Sequence, residues 1–207
     1  MYRSKSARIF PIIIFVAVAA ALIFGLVTVG RYMFAGNDNN PDAVSKVEQA
    51  RDELLTINAD RSVRMTIRGP IVGDENFRTY AVSISPSERL YTTYKGYRDS
   101  VKQRETFDNN TPAYEEFVYA LDKAAFTKTG KFTEEEASDI RGICATGRVY
   151  EYEIFDGNSR LQRYWTSTCK GSPGTFGASV EQVTDLFSAQ VPDAKLEYKS
   201  QFNSLSL

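Results

Sequence analysis

Residues 144–169, CATGRVYEYEIFDGNSRLQRYWTSTC, have the pattern of a β-hairpin with a cysteine at each end. The dipeptide Asp156-Gly157, which favours a tight hairpin turn, separates the two arms of this stretch. The turn lies midway between Cys144 and Cys169, so the two halves have equal length. Because a two-residue turn joins antiparallel strands, this stretch predicts that the chain folds around an antiparallel sheet.

A type I′ turn at Asp156-Gly157 would fix which residues of the hairpin face each other. The predicted cross-strand pairs are Glu153 with Arg160 and Glu151 with Gln162 on one face, and Tyr152 with Leu161 and Arg148 with Trp165 on the other. Cys144 then opposes Cys169 at a non-hydrogen-bonded site, where a disulfide fits. A bulge, for which Gly147 is a candidate, would spoil this register. We expect a structural disulfide contributing about 3–4 kcal/mol, with two buried free thiols as the alternative.

Periodicity outside the hairpin predicts the other elements of an α+β domain. Alternation predicts strands around 63–67, 80–84 and 90–97, and apolar steps of three and four predict helices around 43–58, 111–125 and 179–190. Thr111-Pro112 is the predicted cap of the second of these helices. A capping box at 133–136 predicts a further short helix, and residues 196–202 a terminal strand. The resulting element order favours an antiparallel sheet with helices packed on one side.

The N-terminal segment 9–30 contains no charged residue and predicts a transmembrane helix. At about 1.5 Å per residue, such a helix spans about 30 Å, the thickness of the hydrocarbon core. Arg3, Lys5 and Arg8 precede it, so the positive-inside rule places the N-terminus in the cytoplasm. We therefore predict four regions: a cytoplasmic basic tail at 1–8, a signal anchor at 9–34, a linker at 35–42, and one extracytoplasmic α+β domain at 43–207.

A retained anchor is one of two interpretations of this segment. Cleavage after Ala35 is the second choice, because the apolar region of a signal peptide is usually only about 7–15 residues long. The expected disulfide agrees with export, since disulfides persist outside the cytoplasm. The predicted location is the cell membrane, with one span and the C-terminal domain outside; the anchor is typical of a bacterial protein.

Composition excludes several classes of function. The chain of 207 residues has no histidine, which removes the commonest general base and the commonest zinc ligand. An enzyme would therefore rely on carboxylate, lysine or tyrosine chemistry, and we expect neither a metal nor another cofactor. Residues 37–207 hold 21 basic and 26 acidic residues, and this charge balance disfavours nucleic acid as a partner.

Two sets of residues are candidates for ligand binding. The first is a basic stripe of Arg61, Arg64, Arg68 and Arg78 beside three tyrosines, Tyr91, Tyr94 and Tyr97, which could hold an anionic envelope polymer or a lipid head group. The alternative is that these arginines form the solvent face of a strand. The second set is Gly174 and Gly177, in a glycine-rich loop whose backbone N–H groups could bind an anion. An ordinary loop before a capped helix is the alternative there.

The sequence does not specify an activity. Our leading interpretation is a non-enzymatic binding module of the cell envelope, whose partner is an envelope protein or an anionic polymer. A membrane-tethered enzyme that acts on cell-wall or surface substrates through carboxylates is the first alternative. A subunit of a secretion or adhesion assembly, with the helix at 43–58 as a coiled extension, is the second. The sequence gives no oligomeric state.

Overall fold

The computed structural model describes residues 41–130, 132, 139–171 and 174–192. The described elements are α1 (Pro41–Leu55), β1 (Arg61–Arg68), β2 (Arg78–Ile84), β3 (Glu88–Lys95), β4 (Ser100–Asp108), α2 (Thr111–Lys123), β5 (Val149–Asp156), β6 (Ser159–Ser167) and α3 (Val180–Ser188). The predicted anchor at 9–34, the helix at 133–136 and the strand at 196–202 lie outside these residues. None of the helices within the described part is long and apolar enough to cross a membrane.

The strands form a six-stranded sheet in the order β4-β3-β2-β1-β5-β6. Every neighbouring pair is antiparallel. Strands β1 to β4 follow one another as a meander, and the chain then returns through α2 to place β5 on the other side of β1. The predicted α+β architecture with an antiparallel sheet is confirmed.

The two faces of the sheet differ in what packs against them. On one face, here called the helix face, apolar side chains pack with the helices into a single core. Strand β1 shows the division, because Val63, Met65 and Ile67 are buried in this core whereas Arg64 and Arg68 point to the opposite face. We call that opposite face the open face. Its side chains include charged groups from β1, β5 and β6.

Helix α1 packs against the domain through its last two turns. Ala50 and Leu54 are buried, and Leu54 belongs to the main core. Arg51, on the adjoining surface, forms an ion pair with Asp122 of α2 at 2.6 Å. This packing leaves the apolar side of the C-terminal half of α1 covered by its own domain.

Helices α2 and α3 both begin at side-chain caps. The cap of α2 is Asn110, whose Oδ1 accepts a hydrogen bond from the Ala113 N–H, so the predicted cap at Thr111 is wrong by one residue. Ser179 caps α3 by accepting from the Gln182 N–H. The apolar side chains of the two helices meet in the core, where Phe117 and Phe187 contact edge to face with ring centroids 5.2 Å apart.

Strand β4 was not among the predicted elements. It lies at the edge of the sheet, and its residues are exposed or only partly buried, including the half-exposed Val101. Its sequence, SVKQRETFD, carries polar side chains on both faces and therefore lacks the alternation of a half-buried strand. Charged residues such as Lys102 and Arg104 are typical of protected edge strands, which explains both the missed prediction and the strand's position.

The predicted register of the hairpin is wrong by three residues. Strand β5 ends at Asp156 and strand β6 begins at Ser159, so the turn is Gly157-Asn158 rather than Asp156-Gly157. A bulge after Ile154 adds one further residue to the shift. The observed pairs include Glu153 with Arg163, Glu151 with Trp165 and Tyr152 with Tyr164. Since an odd shift exchanges the faces of a strand, Trp165 lies on the open face with the two glutamates and not with Tyr152.

The predicted disulfide between Cys144 and Cys169 is confirmed. It does not occupy a ladder position, however, because both cysteines lie beyond the paired residues Val149 and Ser167. Cys144 sits in a turn with a φ of 57°, and the Gly147 N–H donates to its carbonyl oxygen. This turn compensates for the three-residue shift in register, so that the Cα atoms of Cys144 and Cys169 lie 5.2 Å apart.

Candidate functional site

The open face carries a cavity of about 720 Å³. Its floor is formed by β1, β2, β3, β5 and β6, and loops at 69–77, 97–99 and 139–143 raise its walls at one end. Small-molecule sites usually enclose about 300–1,000 Å³, so this volume is large enough for a ligand. Five arginines and four acids line it: Arg64, Arg68, Arg141, Arg160 and Arg163, and Asp99, Asp139, Glu151 and Glu153.

Glu153 is held between two arginines on the floor of the cavity. Arg64 contacts Oε2 through Nε and Nη2, each at 3.0 Å. Arg160 donates to the other oxygen, Oε1, at 3.1 Å. The glutamate side chain is 6% exposed, whereas those of the two arginines are 39% and 51% exposed. The carboxylate therefore lies beneath two guanidinium groups that reach solvent. The Arg64 guanidinium also lies 4.3 Å from the ring centroid of Phe155.

Glu151 has the same arrangement one step along β5. Arg68 Nε donates to Oε1 at 2.8 Å, and Arg163 donates to Oε2 through Nε at 3.0 Å and Nη2 at 2.8 Å. Burial alone would raise the pKa of Glu151, but the two guanidinium groups outweigh it and hold the pKa below its ordinary value. Glu151 is therefore an anion at neutral pH. We call the two groups of three residues the Arg-Glu-Arg triads.

Each triad has an excess of positive charge. In each triad two guanidinium groups share one carboxylate. Over the whole lining five arginines stand against four acids, so the formal charge of the described lining is +1. Arg141 is neutralised locally, because Asp139 accepts hydrogen bonds from its guanidinium and its backbone, which lowers the pKa of Asp139 to about 2. In an otherwise slightly acidic chain, the floor of this cavity is a cationic surface.

The end of the cavity beyond Arg68, here called the apolar end, holds most of the apolar side chains of the lining, and its wall loops also carry Asp99, Asp139 and Arg141. Phe77 and Tyr97 stack there with ring centroids 4.1 Å apart. The Tyr97 hydroxyl donates to the Val72 carbonyl at 2.8 Å and accepts from the Val72 N–H at 3.1 Å, which fixes its ring over the loop. The remaining apolar side chains that line this end are Ile71, Ile140, Ile143 and Val149. Ile71 and Tyr97 are 49% and 48% exposed, so the apolar end is open to solvent.

One wall of the apolar end is the segment 139–147, here called the wall loop. Ile140 and Ile143 pack with Val149 and the fully buried Trp165 in a second, smaller core. The disulfide ties the segment to the end of β6. On its other side, the Ala145 carbonyl accepts a hydrogen bond from the Ile71 N–H at 2.8 Å. The wall loop is thus attached to both the hairpin and the loop after β1.

The predicted basic stripe is divided between the two faces. Arg64 and Arg68 lie together on the open face, and Tyr94 and Tyr97 line the same cavity. Arg61 is 5% exposed on the helix face, where it forms an ion pair with Asp156 at 3.3 Å. Residues three apart on a strand point to opposite faces, which separates Arg61 from Arg64.

The other two members of the stripe are also outside the cavity. Arg78 donates to the backbone carbonyls of Glu75 and Phe77 at 2.8 Å, and so it fixes the loop before β2. Tyr91 is fully buried in the main core. Of the predicted stripe, the structure therefore brings together two arginines and two tyrosines.

Gly174 and Gly177 have packing roles where the structure places them. A Cβ atom at Gly174 would lie 2.9 Å from the carbonyl oxygen of Trp165, which leaves room only for glycine. The Gly177 N–H donates to the Lys128 carbonyl at 2.9 Å, so that N–H is already used within the protein. Neither glycine lines the cavity on the open face. Residues 172–173 of the same loop lie outside the described part.

Sequence reasoning missed the residues that complete the triads. The predicted register set Glu153 opposite Arg160 and Glu151 opposite Gln162, and it did not single out Arg163. Glu153 and Arg160 do form an ion pair, although they are not opposite each other in the ladder. The available signal was the pair of alternating glutamates on β5, combined with Arg64 and Arg68 four residues apart on β1. A charged stripe on two adjacent strands predicts a shared polar face, but only the position of β1 beside β5 unites the two stripes.

Within the described residues, no group of three or more potential metal ligands lies together. Comparison with known proteins gave no match to a protein-family model and none to a curated protein sequence. The chemistry of the cavity is therefore the basis for a functional proposal.

Proposed function

We propose that this chain is a membrane-tethered binding module of the cell envelope, and that its open-face cavity binds an anionic group of an envelope component. The observation that carries the proposal is the pair of Arg-Glu-Arg triads on the floor of a cavity of about 720 Å³. Guanidinium groups present rigid forks of N–H donors that match the oxygens of phosphate and carboxylate groups.

The buried glutamates hold the arginine side chains of the site in fixed positions. An arginine side chain on a free surface loses much conformational entropy when it binds a ligand. Here Glu151 and Glu153 hold four guanidinium groups in position before any ligand arrives. Since the five arginines of the lining outnumber its four acids, the attraction for an anion is retained.

The state of the carboxylates favours binding over catalysis. A general acid needs a proton at neutral pH, and the lowered pKa of Glu151 keeps that carboxylate ionised. Both of its oxygens also accept hydrogen bonds from arginine, as do both oxygens of Glu153. These contacts argue against the alternative of an enzyme that works through this carboxylate pair.

The tether and the location rest on the sequence and on the disulfide. The uncharged segment 9–30 and its basic N-terminal flank support a single span with the domain outside. The Cys144–Cys169 disulfide agrees with an oxidising compartment. A domain held in this way meets ligands that are part of the envelope or pass close to the membrane.

Binding of a simple anion tests the proposal. The full chain would be reconstituted in nanodiscs of zwitterionic phosphatidylcholine, and its affinity for inorganic phosphate and for polyphosphate measured by calorimetry. Because a charge-assisted hydrogen bond contributes about 1.5–3 kcal/mol, Arg160→Gln should weaken binding roughly tenfold or more.

Arg51→Gln is the matched control, because Arg51 is as exposed as Arg160 and is also paired with a carboxylate, but lies on the helix side of the domain. It should leave the affinity unchanged. Equal effects of the two substitutions, or no binding of either anion by the unaltered chain, would contradict the proposal.

A further inference from the structure

We infer that the ligand of the open-face cavity is an amphiphile, with an anionic head on the Arg-Glu-Arg triads and an alkyl chain along the apolar end. This inference rests on the proposed anion-binding function and specifies the class of ligand. It follows from the fact that one continuous cavity contains both a cationic floor and an apolar end.

The two halves of the cavity are adjacent along the strands. In the sheet register, Arg68 is opposite Val149 on β5 and opposite Thr79 on β2. Val149 lines the apolar end, so the second triad borders that end directly. Arg64 is four residues further along β1, about 13 Å away at the usual rise of a strand. A ligand whose head group lies on the arginines would therefore reach the side chain of Val149 directly.

The apolar end has the exposure expected of a surface that receives a ligand. Ile71 and Tyr97 leave about half of their surface in contact with solvent, although each is fixed by hydrogen bonds of its loop. Ile140 and Ile143 face the same cavity from the wall loop. Clustered apolar exposure beside a cavity is typical of binding sites, since isolated domains usually bury such groups.

Charge and apolar surface together select one class of occupant. A polyphosphate or an acidic polysaccharide would satisfy the arginines but leave Ile71 and Tyr97 in water. A neutral lipid chain would cover the apolar end but leave the excess charge of the triads unmatched. An alkyl phosphate or carboxylate matches both halves, and such amphiphiles are abundant at the surface to which the chain is predicted to be tethered.

A series of alkyl phosphates separates the contributions of head and chain. The full chain in phosphatidylcholine nanodiscs would be titrated with inorganic, ethyl, butyl and hexyl phosphate, with empty nanodiscs correcting for partition into the bilayer. Since burial of a methylene contributes about 0.8 kcal/mol, affinity should rise about fourfold per methylene that enters the apolar end. Trp165 is the single tryptophan and packs behind the wall loop, so its fluorescence provides a second readout.

Two substitutions of exposed apolar residues localise the effect. Ile71→Asn should flatten the dependence on chain length while the affinity for inorganic phosphate stays the same. Tyr119→Asn removes a side chain of similar exposure from α2, outside the cavity, and should leave the series unchanged. Both positions are about half exposed, and an unchanged Trp165 emission spectrum would verify that each variant folds.

The outcomes distinguish this inference from the function on which it rests. A flat series with intact phosphate binding, equal slopes for the two variants, or hexanol binding as tightly as hexyl phosphate would overturn the amphiphile and leave the anion site standing. Failure of every phosphate to bind would overturn the proposed function as well.

Discussion

At the scale of single residues, buried hydroxyl groups in this core differ in whether they have a hydrogen-bond partner. Tyr114 and Tyr152 are both fully buried. The Tyr152 hydroxyl lies 3.0 Å from Thr184 Oγ1, within hydrogen-bond distance. The Tyr114 hydroxyl has no partner among the described residues, and burial raises its pKa. A buried polar group without a partner lowers stability by the cost of its desolvation.

Removal of these two hydroxyls should therefore have opposite effects. Tyr114→Phe should raise the free energy of unfolding by about 1 kcal/mol, because it removes a buried hydroxyl that has no hydrogen-bond partner among the described residues. Tyr152→Phe should lower it by about 1 kcal/mol, because it leaves Thr184 without that contact. Chemical denaturation of both variants measures the difference. The explanation fails if Tyr114→Phe destabilises the domain as much as Tyr152→Phe does.

At the scale of elements, the strands β1, β5 and β6 are joined by side chains as well as by their backbones. Glu151 on β5 links Arg68 on β1 to Arg163 on β6, and Glu153 links Arg64 to Arg160 in the same way. Removal of one member of such a buried network leaves its partners uncompensated, so the cost exceeds that of an exposed pair.

Acid should weaken this connection between the strands. The pKa of Glu151 in the folded domain is lowered from its ordinary value of 4.5. Its contribution to stability is therefore complete above the unfolded pKa and is lost as the pH falls through the folded pKa. Glu151→Gln should lower the free energy of unfolding at pH 7 by about 3 kcal/mol and reduce its dependence on pH below about 4.5.

Denaturation of the domain at a series of pH values would measure both effects. Glu48→Gln, a change at an exposed position of α1, is the control and should alter neither the stability at pH 7 nor the acid dependence. An unaltered acid dependence in Glu151→Gln would show that other carboxylates govern acid unfolding.

The sequence predicted the elements whose apolar residues alternate or recur clearly. Strands β1 and β2 have their most deeply buried apolar residues at every second position, and α3 has Val183 and Phe187 on one side, so their patterns are plain. The edge strand β4 has no such pattern because only a buried face imposes one. The hairpin was recognised, but its register depends on which two residues form the turn and on the bulge after Ile154, and local sequence resolves neither.

The candidate site was predicted only in part, for a similar reason. Arg64 and Arg68 share a face because they are four residues apart on one strand, which sequence reveals. Their partners Glu151 and Glu153 are more than eighty residues away in the chain. Those contacts depend on the pairing of β1 with β5, a tertiary fact that no local pattern contains.

At the scale of the whole molecule, the predicted tether determines which ligands the cavity can meet. The two cysteines are the only ones in the chain, so their reactivity reports on the side of the membrane that the domain occupies. A disulfide is inert to maleimides, whereas the thiols formed on reduction react. The predicted orientation thus leads to a direct measurement in intact cells.

Labelling with a membrane-impermeant maleimide should follow that orientation. We expect no label on untreated cells and label on both cysteines after treatment with a membrane-impermeant reductant. A variant with serine at both positions should stay unlabelled throughout and controls for other reactive groups. Label that appears only after lysis would place the domain on the cytoplasmic side and contradict the predicted topology.

The disulfide also makes the completion of the cavity wall depend on when Cys144 and Cys169 are oxidised. It attaches the wall loop to the end of β6, and without it that loop would be held by the Ile71 to Ala145 hydrogen bond and by apolar packing. A newly made chain in a reducing cytoplasm would carry thiols at Cys144 and Cys169. On the proposed topology, the link from the wall loop to the end of β6 would therefore form after export, and the wall of the cavity would be completed outside the cytoplasm.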